Sequence, residues 1–109
     1  MPSFSRHDVV LVRYPYSDFS GGKVRPAVII NANHPSEDAI VVALTSRLER
    51  LLLGEFQLID WQAAGLNVPT AAKRGIYTVH DSPIVRAVGT LIVDDQQTLN
   101  HSLRQWLGL

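Results

Sequence analysis

Two short segments of the chain combine residue types that can hold a phosphate group and react with it. Arg25 precedes Pro26, which fixes the backbone and disfavours helix at the arginine, so the guanidinium begins a strand from a defined position. Its planar fork of donors matches phosphate oxygens. Thr45, Ser46 and Arg47 follow an apolar run, and hydroxyls there can orient a phosphate or a nucleophile. Taken alone, each segment is more often the ordinary end of a surface strand.

A pair of adjacent cations, Lys73 and Arg74, offers a third place for phosphate contacts. Successive side chains of a strand point to opposite faces, so the pattern predicts that only one of the two shares a face with Arg25. Charged residues also commonly blunt edge strands, and a solvated edge is the alternative interpretation of this pair.

Several classes of chemistry have no residues to carry them. The chain has no cysteine, which excludes a thiol nucleophile, a disulfide and a thiolate zinc site. None of the four histidines stands four residues from another histidine or from a glutamate. The glycine motifs of phosphate-cradling loops, dinucleotide-binding folds and serine hydrolases are absent as well. We therefore expect neither a metal nor a cofactor.

Composition and charge narrow the class of protein further. The chain has 109 residues, 46% of them hydrophobic and 18% charged, and it carries no net charge. This predicts a single folded domain over residues 1–109 and excludes a strongly basic nucleic-acid coat. Residues 1–36 and residues 61–90 each carry two more basic than acidic residues, and together they would form a local anion site if they lie side by side. Without a bilayer-spanning run or a signal peptide, we expect a cytoplasmic protein with no membrane partner.

Apolar runs rich in β-branched residues predict a mainly β fold. The predicted strands cover residues 8–14, 27–30, 39–45, 55–59, 73–79 and 84–89. Asp60 is predicted to cap a short helical turn that Gly65 ends, and residues 48–53 fit no element clearly. No helical pattern separates the first three strands, which argues against a parallel sheet. The sequence thus predicts a small, mostly antiparallel β-barrel or half-barrel.

The chain closes with a predicted α-helix. Asp94 or Asp95 begins it, which suits the positive end of the helix dipole, and Gly108 ends it. Its apolar stripe consists of Leu99, Leu103, Trp106 and Leu107. This helix and the near-continuous apolar strands exceed what one small barrel can cover, so we predict a homodimer.

Seven short segments, taken in order, resemble one protein family. They are the strand 8–12, Tyr14-Pro15-Tyr16, the loop 17–23 running into Arg25-Pro26-Ala27-Val28-Ile29-Ile30, Leu44-Thr45-Ser46, Ala64-Gly65-Leu66, Pro69-Thr70, and Ile76-Tyr77-Thr78-Val79 ahead of Val88-Gly89. Each segment is weak alone, but together they extend over nearly the whole chain. With them the chain resembles the MazF/PemK-like toxins of bacterial type II toxin–antitoxin pairs.

The resemblance implies a small SH3-like antiparallel barrel with a C-terminal helix, usually a homodimer, that cleaves single-stranded RNA without a metal. In such enzymes the ribose 2′-OH attacks its own 3′ phosphate and leaves a 2′,3′-cyclic phosphate and a 5′-OH end. Arg25 matches the family's catalytic arginine and Thr45 its catalytic hydroxyl residue. A cognate antitoxin peptide is the implied inhibitor. The substrate-binding residues expected on this basis are Ser20, Lys23, Ser46, Arg47 and Lys73.

The sequence departs from some relatives at two places that bear on proton transfer. Lys73-Arg74-Gly75 stands where those relatives have an Arg-x-Asp pair, and the loop 16–23 has no histidine. The general base is therefore left unassigned. A lysine near its ordinary pKa of about 10.4 is a poor base at neutral pH, so we predict that Lys73 binds the RNA backbone.

Two other functions compete with an RNA-cleaving toxin. The first is a non-catalytic SH3-like module that binds nucleic acid or a peptide, and the second is a structural protein that dimerises through its apolar strands and helix. The zero net charge favours both, because nucleases usually show a basic surface.

Overall fold

The protein forms one antiparallel sheet followed by a C-terminal helix. The computed structural model describes residues 4–14, 23–80 and 83–109. Within these residues the elements are β1 (Asp8–Tyr14), β2 (Lys23–Ile29), β3 (Ala39–Thr45), β4 (Phe56–Gln57), β5 (Ala71–Val79), β6 (Ile84–Thr90) and α1 (Val93–Leu107). The six strands lie in the order β4-β5-β3-β2-β1-β6, so β4 and β6 form the edges of an open sheet. The predicted mainly β, antiparallel fold with a C-terminal helix is confirmed.

The central strands β1, β2 and β3 read as continuous apolar runs because both faces of the sheet are buried. One face holds Val9, Val28 and Val42, which pack with Leu99 and Leu103 of α1. The other face holds Val10, Val12, Ala27, Ile29 and Val41. Most of the apolar strand residues on which we based the homodimer are therefore covered within a single chain, whereas Val24, Ile40 and Val85 remain exposed.

Helix α1 begins and ends where its sequence predicts. Asp94 and Asp95 lie in its first turn, and Gly108 ends it in the left-handed conformation at φ 71°. The predicted apolar stripe is wrong at Leu107, which is 55% exposed. The buried stripe runs through Asp95, Leu99, Ser102 and Leu103 towards the half-buried Trp106. Leu107 lies about 100° round the helix from Trp106 and leaves this stripe.

The buried carboxylate of Asp95 holds the helix against the backbone at residues 59–60. Its two oxygens accept hydrogen bonds from the Ile59 N–H at 3.0 and 3.1 Å, and one of them also accepts the Asp60 N–H at 3.2 Å. The predicted fourth strand, 55–59, is therefore too long. Only Phe56–Gln57 pairs as a strand, because the Ile59 N–H is directed to the helix and not to a neighbouring strand.

The far end of α1 holds the turn at residues 52–55. The Ser102 hydroxyl donates to the Gly54 carbonyl at 2.7 Å, and the Trp106 indole N–H donates to the Leu53 carbonyl at 2.9 Å. Gly54 has a φ of 84°, and a side chain there would overlap the indole. No helix among the described residues is long and apolar enough to cross a membrane.

Strand β5 contains an irregularity that the sequence did not indicate. Val42 pairs with Ile76, but Leu44 pairs with Ala72, so the three residues 73–75 of β5 lie opposite the single residue Ala43. Such a bulge breaks the regular alternation of faces. Lys73 and Arg74 are both exposed, and the alternation of a regular strand, on which we based their opposite directions, is interrupted where they lie.

Candidate functional site

An open cleft of about 310 Å³ lies where the ends of several strands meet one loop. Its lining comes from Leu11 of β1, residues 24–26 of β2, residues 44–46 at the end of β3, the loop residues 65–68 with Thr70, and Arg86 and Val88 of β6. We call it the strand-end cleft. Among these described lining residues there are two arginines and no acidic residue, so the cleft favours an anion.

Arg25 of β2 and Thr45 of β3 both line this cleft. The pairing of β2 with β3 ends at Ala27 and Ala43, and Arg25 and Thr45 each lie two residues beyond that pair. A guanidinium and a hydroxyl thus share one end of the sheet, and a group the size of a phosphate can contact both.

The Thr45 side chain is held by the backbone two residues further along the chain. Its Oγ1 accepts a hydrogen bond from the Arg47 N–H at 3.1 Å, which fixes the turn that leaves β3. A hydroxyl that accepts one bond still has its proton to donate. The half-buried Thr45 can therefore donate to an anion that enters the cleft.

Arg86 brings a second guanidinium to the strand-end cleft. It pairs with Leu11 of β1, and the neighbouring Val12 pairs with Arg25 on the other side of that strand. The backbones of Arg25 and Arg86 are two strand spacings apart, about 10 Å. One arginine from each of the two basic stretches in the sequence therefore lines the same cleft. In the sequence Arg86 is only part of the basic surplus of residues 61–90, because its position depends on a β1–β6 register with two shifts.

The loop after Gly65 forms a wall of the cleft and is fastened to β6. Gly65 has a φ of 85°, and a Cβ there would overlap the Val88 carbonyl oxygen. A Cβ at Gly89 would in turn overlap the Ala64 carbonyl. The two backbones touch because both residues lack a side chain. The predicted turn before the loop is present, since the Asp60 carboxylate accepts the Ala63 N–H at 2.9 Å.

A second depression, of about 410 Å³, is lined by Arg47, Glu49, Arg50, Leu51, Glu55 and Lys73. We call it the Lys73 depression. Glu55 accepts hydrogen bonds from the backbone N–H groups of Leu52 at 2.7 Å and Arg74 at 2.9 Å. Burial, the largest single effect, opposes its ionisation, but these two bonds and the charge of Lys73 together lower the pKa of Glu55 below its ordinary value. Lys73 thus has a charged carboxylate beside it.

The structure divides the expected site residues into groups. Arg25, Thr45 and Ser46 line the strand-end cleft, whereas Arg47 and Lys73 line the Lys73 depression. Lys23 begins β2, where it pairs with Tyr14, and it is not among the residues that line either. Ser20 and the rest of the loop 17–22 lie outside the described residues. Within the described ranges, no three His, Asp or Glu side chains gather as metal ligands.

The chain is thus a small β protein with an open antiparallel sheet, and two arginines and no acidic residue stand among the described residues of its strand-end cleft. Comparison with protein-family models identifies the family. Residues 5–107 match the family described as PemK-like, MazF-like toxin of type II toxin–antitoxin system, and the chain belongs to that family. The resemblance drawn from the seven sequence segments is confirmed.

Solved structures share the fold at low sequence identity. An endoribonuclease in complex with its cognate antitoxin, from a mycobacterial species, is 18% identical with a TM-score of 0.76, over 98% of this chain and 97% of that one. The Mycobacterium tuberculosis toxin MazF-mt6 is 18% identical with a TM-score of 0.74, over 94% and 97%. A further mycobacterial endoribonuclease is 17% identical with a TM-score of 0.76, over 100% and 95%. A search of curated proteins gives no match.

Proposed function

We propose that the protein is the toxin of a type II toxin–antitoxin pair and that it cleaves single-stranded RNA, such as mRNA, in the strand-end cleft. The observation that carries the proposal is that Arg25 and Thr45 line one cleft whose described lining has no acidic residue. Membership of the toxin family and the fold shared with two structures named as endoribonucleases support it.

The proposed reaction is an internal transesterification. The ribose 2′ oxygen forms a bond to the adjacent phosphorus, the bond from phosphorus to the 5′ oxygen of the next nucleotide breaks, and the products carry a 2′,3′-cyclic phosphate and a 5′-OH. Negative charge develops on the non-bridging oxygens, where the Arg25 guanidinium neutralises it. The Thr45 hydroxyl donates to one of these oxygens. Neither role requires a metal or a cofactor.

Proton transfer follows from what lines the cleft. The described lining holds no Asp, Glu or His side chain, so we assign the 2′-OH proton to solvent, and the leaving 5′ oxygen takes a proton from Arg25 or from water. Arg86 supplies a second positive charge, which suits the flanking phosphate. A reaction without a dedicated base is slower than one with it, since general base catalysis contributes roughly 10²- to 10⁴-fold.

RNA binding outside the cleft is assigned to the residues of the Lys73 depression. Arg47 continues the chain from Thr45 and Ser46, so a strand of RNA that leaves the cleft along β3 meets it next. Lys73 is exposed in the same depression and contacts the RNA backbone as a point charge. As a single charge, Lys73 supplies about one phosphate contact.

Two partners follow from the family and from the surface. One neighbour is described in complex with its cognate antitoxin, and we propose an antitoxin peptide as the inhibitor of this chain, in the cytoplasm where mRNA is found. We also propose a homodimer, now on different grounds. Exposed apolar side chains remain at the end of α1, where Leu107 is 55% and Leu109 81% exposed. Light scattering that shows only a monomer at micromolar concentration would remove the dimer.

The direct test of the proposed function is digestion of a single-stranded RNA in EDTA. We expect cleavage, with 5′-OH ends and 2′,3′-cyclic phosphates identified by end labelling and mass spectrometry. A non-catalytic binding module is the second candidate, and the lack of a carboxylate or imidazole in the described lining favours it. It predicts that the folded protein binds the same RNA and leaves it intact.

A further inference from the structure

We propose that Asn67 selects the RNA base that lies beside the scissile phosphate. This proposal rests on the proposed function, because it assumes that RNA enters the strand-end cleft. Asn67 lines the same cleft as Arg25 and Thr45, and it stands on the wall formed by the loop after Gly65. A nucleotide whose phosphate contacts Arg25 and Thr45 therefore has its base against this wall or directly beside it.

The Asn67 amide is the described group in the cleft best suited to read a base. It is exposed and makes no hydrogen bond with another described residue, so its donor and acceptor are available to a ligand. The two arginines of the lining match phosphates, and the hydroxyls of Thr45 and Ser46 can donate or accept at a single point. A side-chain amide presents a donor and an acceptor side by side, which matches the edge of one base and mismatches another.

The wall is also rigid, as base selection requires. The first residue of the wall, Gly65, packs against the backbone of Val88 in β6, the strand that also carries Arg86. The Leu66 N–H donates to the Trp61 carbonyl at 3.0 Å. At its other end the buried Thr70 donates its hydroxyl to the Val68 carbonyl at 2.8 Å. These contacts restrain the loop on both sides of Asn67, which limits how far the loop can move to accommodate a mismatched base.

Apolar residues next to Asn67 complete a place for a base. Val68 is 50% exposed, and Leu66 is half-buried beside it in the same lining. Unstacked RNA bases bind through hydrogen bonds at their edges and apolar contact at their faces. An amide flanked by two aliphatic side chains offers both kinds of contact.

The experiment uses a pool of single-stranded RNAs with randomised sequence and reads the bases around each 5′-OH end by sequencing. The parent protein is expected to prefer one base at a position adjacent to the cut. Asn67→Ala should reduce that preference roughly 5- to 150-fold, the value of one bidentate base contact, and leave other positions unchanged. Asn67→Asp has two acceptors and should shift the preference to guanine, whose N1–H and N2–H₂ are adjacent donors.

Gln97→Ala is the matched control, since it removes an exposed amide of α1 that does not line the cleft. Unchanged melting temperatures show that the variants fold. A parent with no base preference, or an Asn67→Ala profile equal to that of the parent, overturns the proposal. If the folded parent cuts no RNA, the proposed cleavage is wrong. The same pool of RNAs is then separated by binding to the protein, and the bound fraction is sequenced. Loss of base preference in the bound Asn67→Ala fraction supports the role of Asn67, and an unchanged preference rejects it.

Discussion

Arg25 of β2 and Thr45 of β3 line one cleft, each two residues beyond Ala27 and Ala43, the pair at which the β2–β3 ladder ends. The ladder brings these two strand ends together, so the shared cleft depends on the pairing of the strands and not on either side chain alone. A guanidinium and a hydroxyl from distant parts of the chain are thereby delivered to one end of the sheet.

The first prediction concerns the Thr45 hydroxyl. Thr45→Val keeps the shape of the side chain and removes the proton that we assign to a phosphate oxygen. We expect single-turnover cleavage to fall by roughly 10²-fold, as for the loss of one donor to a developing oxyanion, with RNA affinity changed little. Thr78→Val, at an exposed position of β5 outside the cleft, is the control. Equal rates for the Thr45 variant and the parent would reject the assignment.

Lys73 should act in binding and not in proton transfer. Lys73→Ala is expected to make the slope of log affinity against log salt shallower by about 0.7, the value of one single-strand phosphate contact. The pH–rate profile should keep its shape, because no titrating base is removed. Binding isotherms at several salt concentrations and a pH series measure the two effects. A lost limb of the pH profile with unchanged affinity would make Lys73 the base.

Glu55 should link stability to acid pH. Burial acts to raise the pKa of Glu55, but the hydrogen bonds from two backbone N–H groups and the charge of Lys73 outweigh burial. The net effect lowers the pKa from the ordinary 4.5. Because the pKa is lower in the folded state, the ionised carboxylate stabilises the fold at pH values above the unfolded-state pKa. This stability is lost as the pH falls through the folded-state pKa. We expect Glu55→Gln to be less stable than the parent at pH 7 and to approach it in urea unfolding as the pH falls below 4.5 and through the lowered folded-state pKa. A difference that is the same at both pH values would contradict this link.

The contact between Gly65 and β6 should be essential for stability. Gly65→Ala places a methyl group on the Val88 carbonyl oxygen and also demands a left-handed alanine, so we expect a loss of at least about 3 kcal/mol. Gly108→Ala is the matched control, because it has the same sign of φ but open space around it. It should cost only about 1 kcal/mol of backbone strain. Similar losses for the two variants would show that the close contact contributes nothing.

The strands and the helix could be predicted because their signals are local. The apolar run Asp8–Tyr14 and the run Ala39–Thr45 have the bounds that the sequence indicates, and Gly108 ends the helix as its type suggests. The fourth strand could not be delimited, because the Ile59 N–H bonds to Asp95, which is 36 residues away. Long-range partners of this kind leave no trace in a local pattern.

The candidate site was accessible from sequence only in part. Arg25 and Thr45 could be singled out by residue type and by the family resemblance, but their shared cleft depends on the pairing of β2 with β3. Arg86 and Asn67 carry no local signal, since each reaches the cleft through a pairing or a loop contact made far along the chain. The bulge at residues 73–75 likewise arises from the pairing of β5 with β3. Face alternation therefore could not place Lys73.

Cleavage by an Arg25→Ala variant tests the account most directly. The variant and the parent are incubated with the same single-stranded RNA in EDTA, and the amounts of 5′-OH ends are compared. Arg13→Ala is the control, because it removes an exposed arginine of β1 that does not line the strand-end cleft. The account predicts that the Arg25 variant melts like the parent and loses most of its cleavage, while the Arg13 variant keeps it. An Arg25→Ala protein that cuts RNA as fast as the parent would contradict the account.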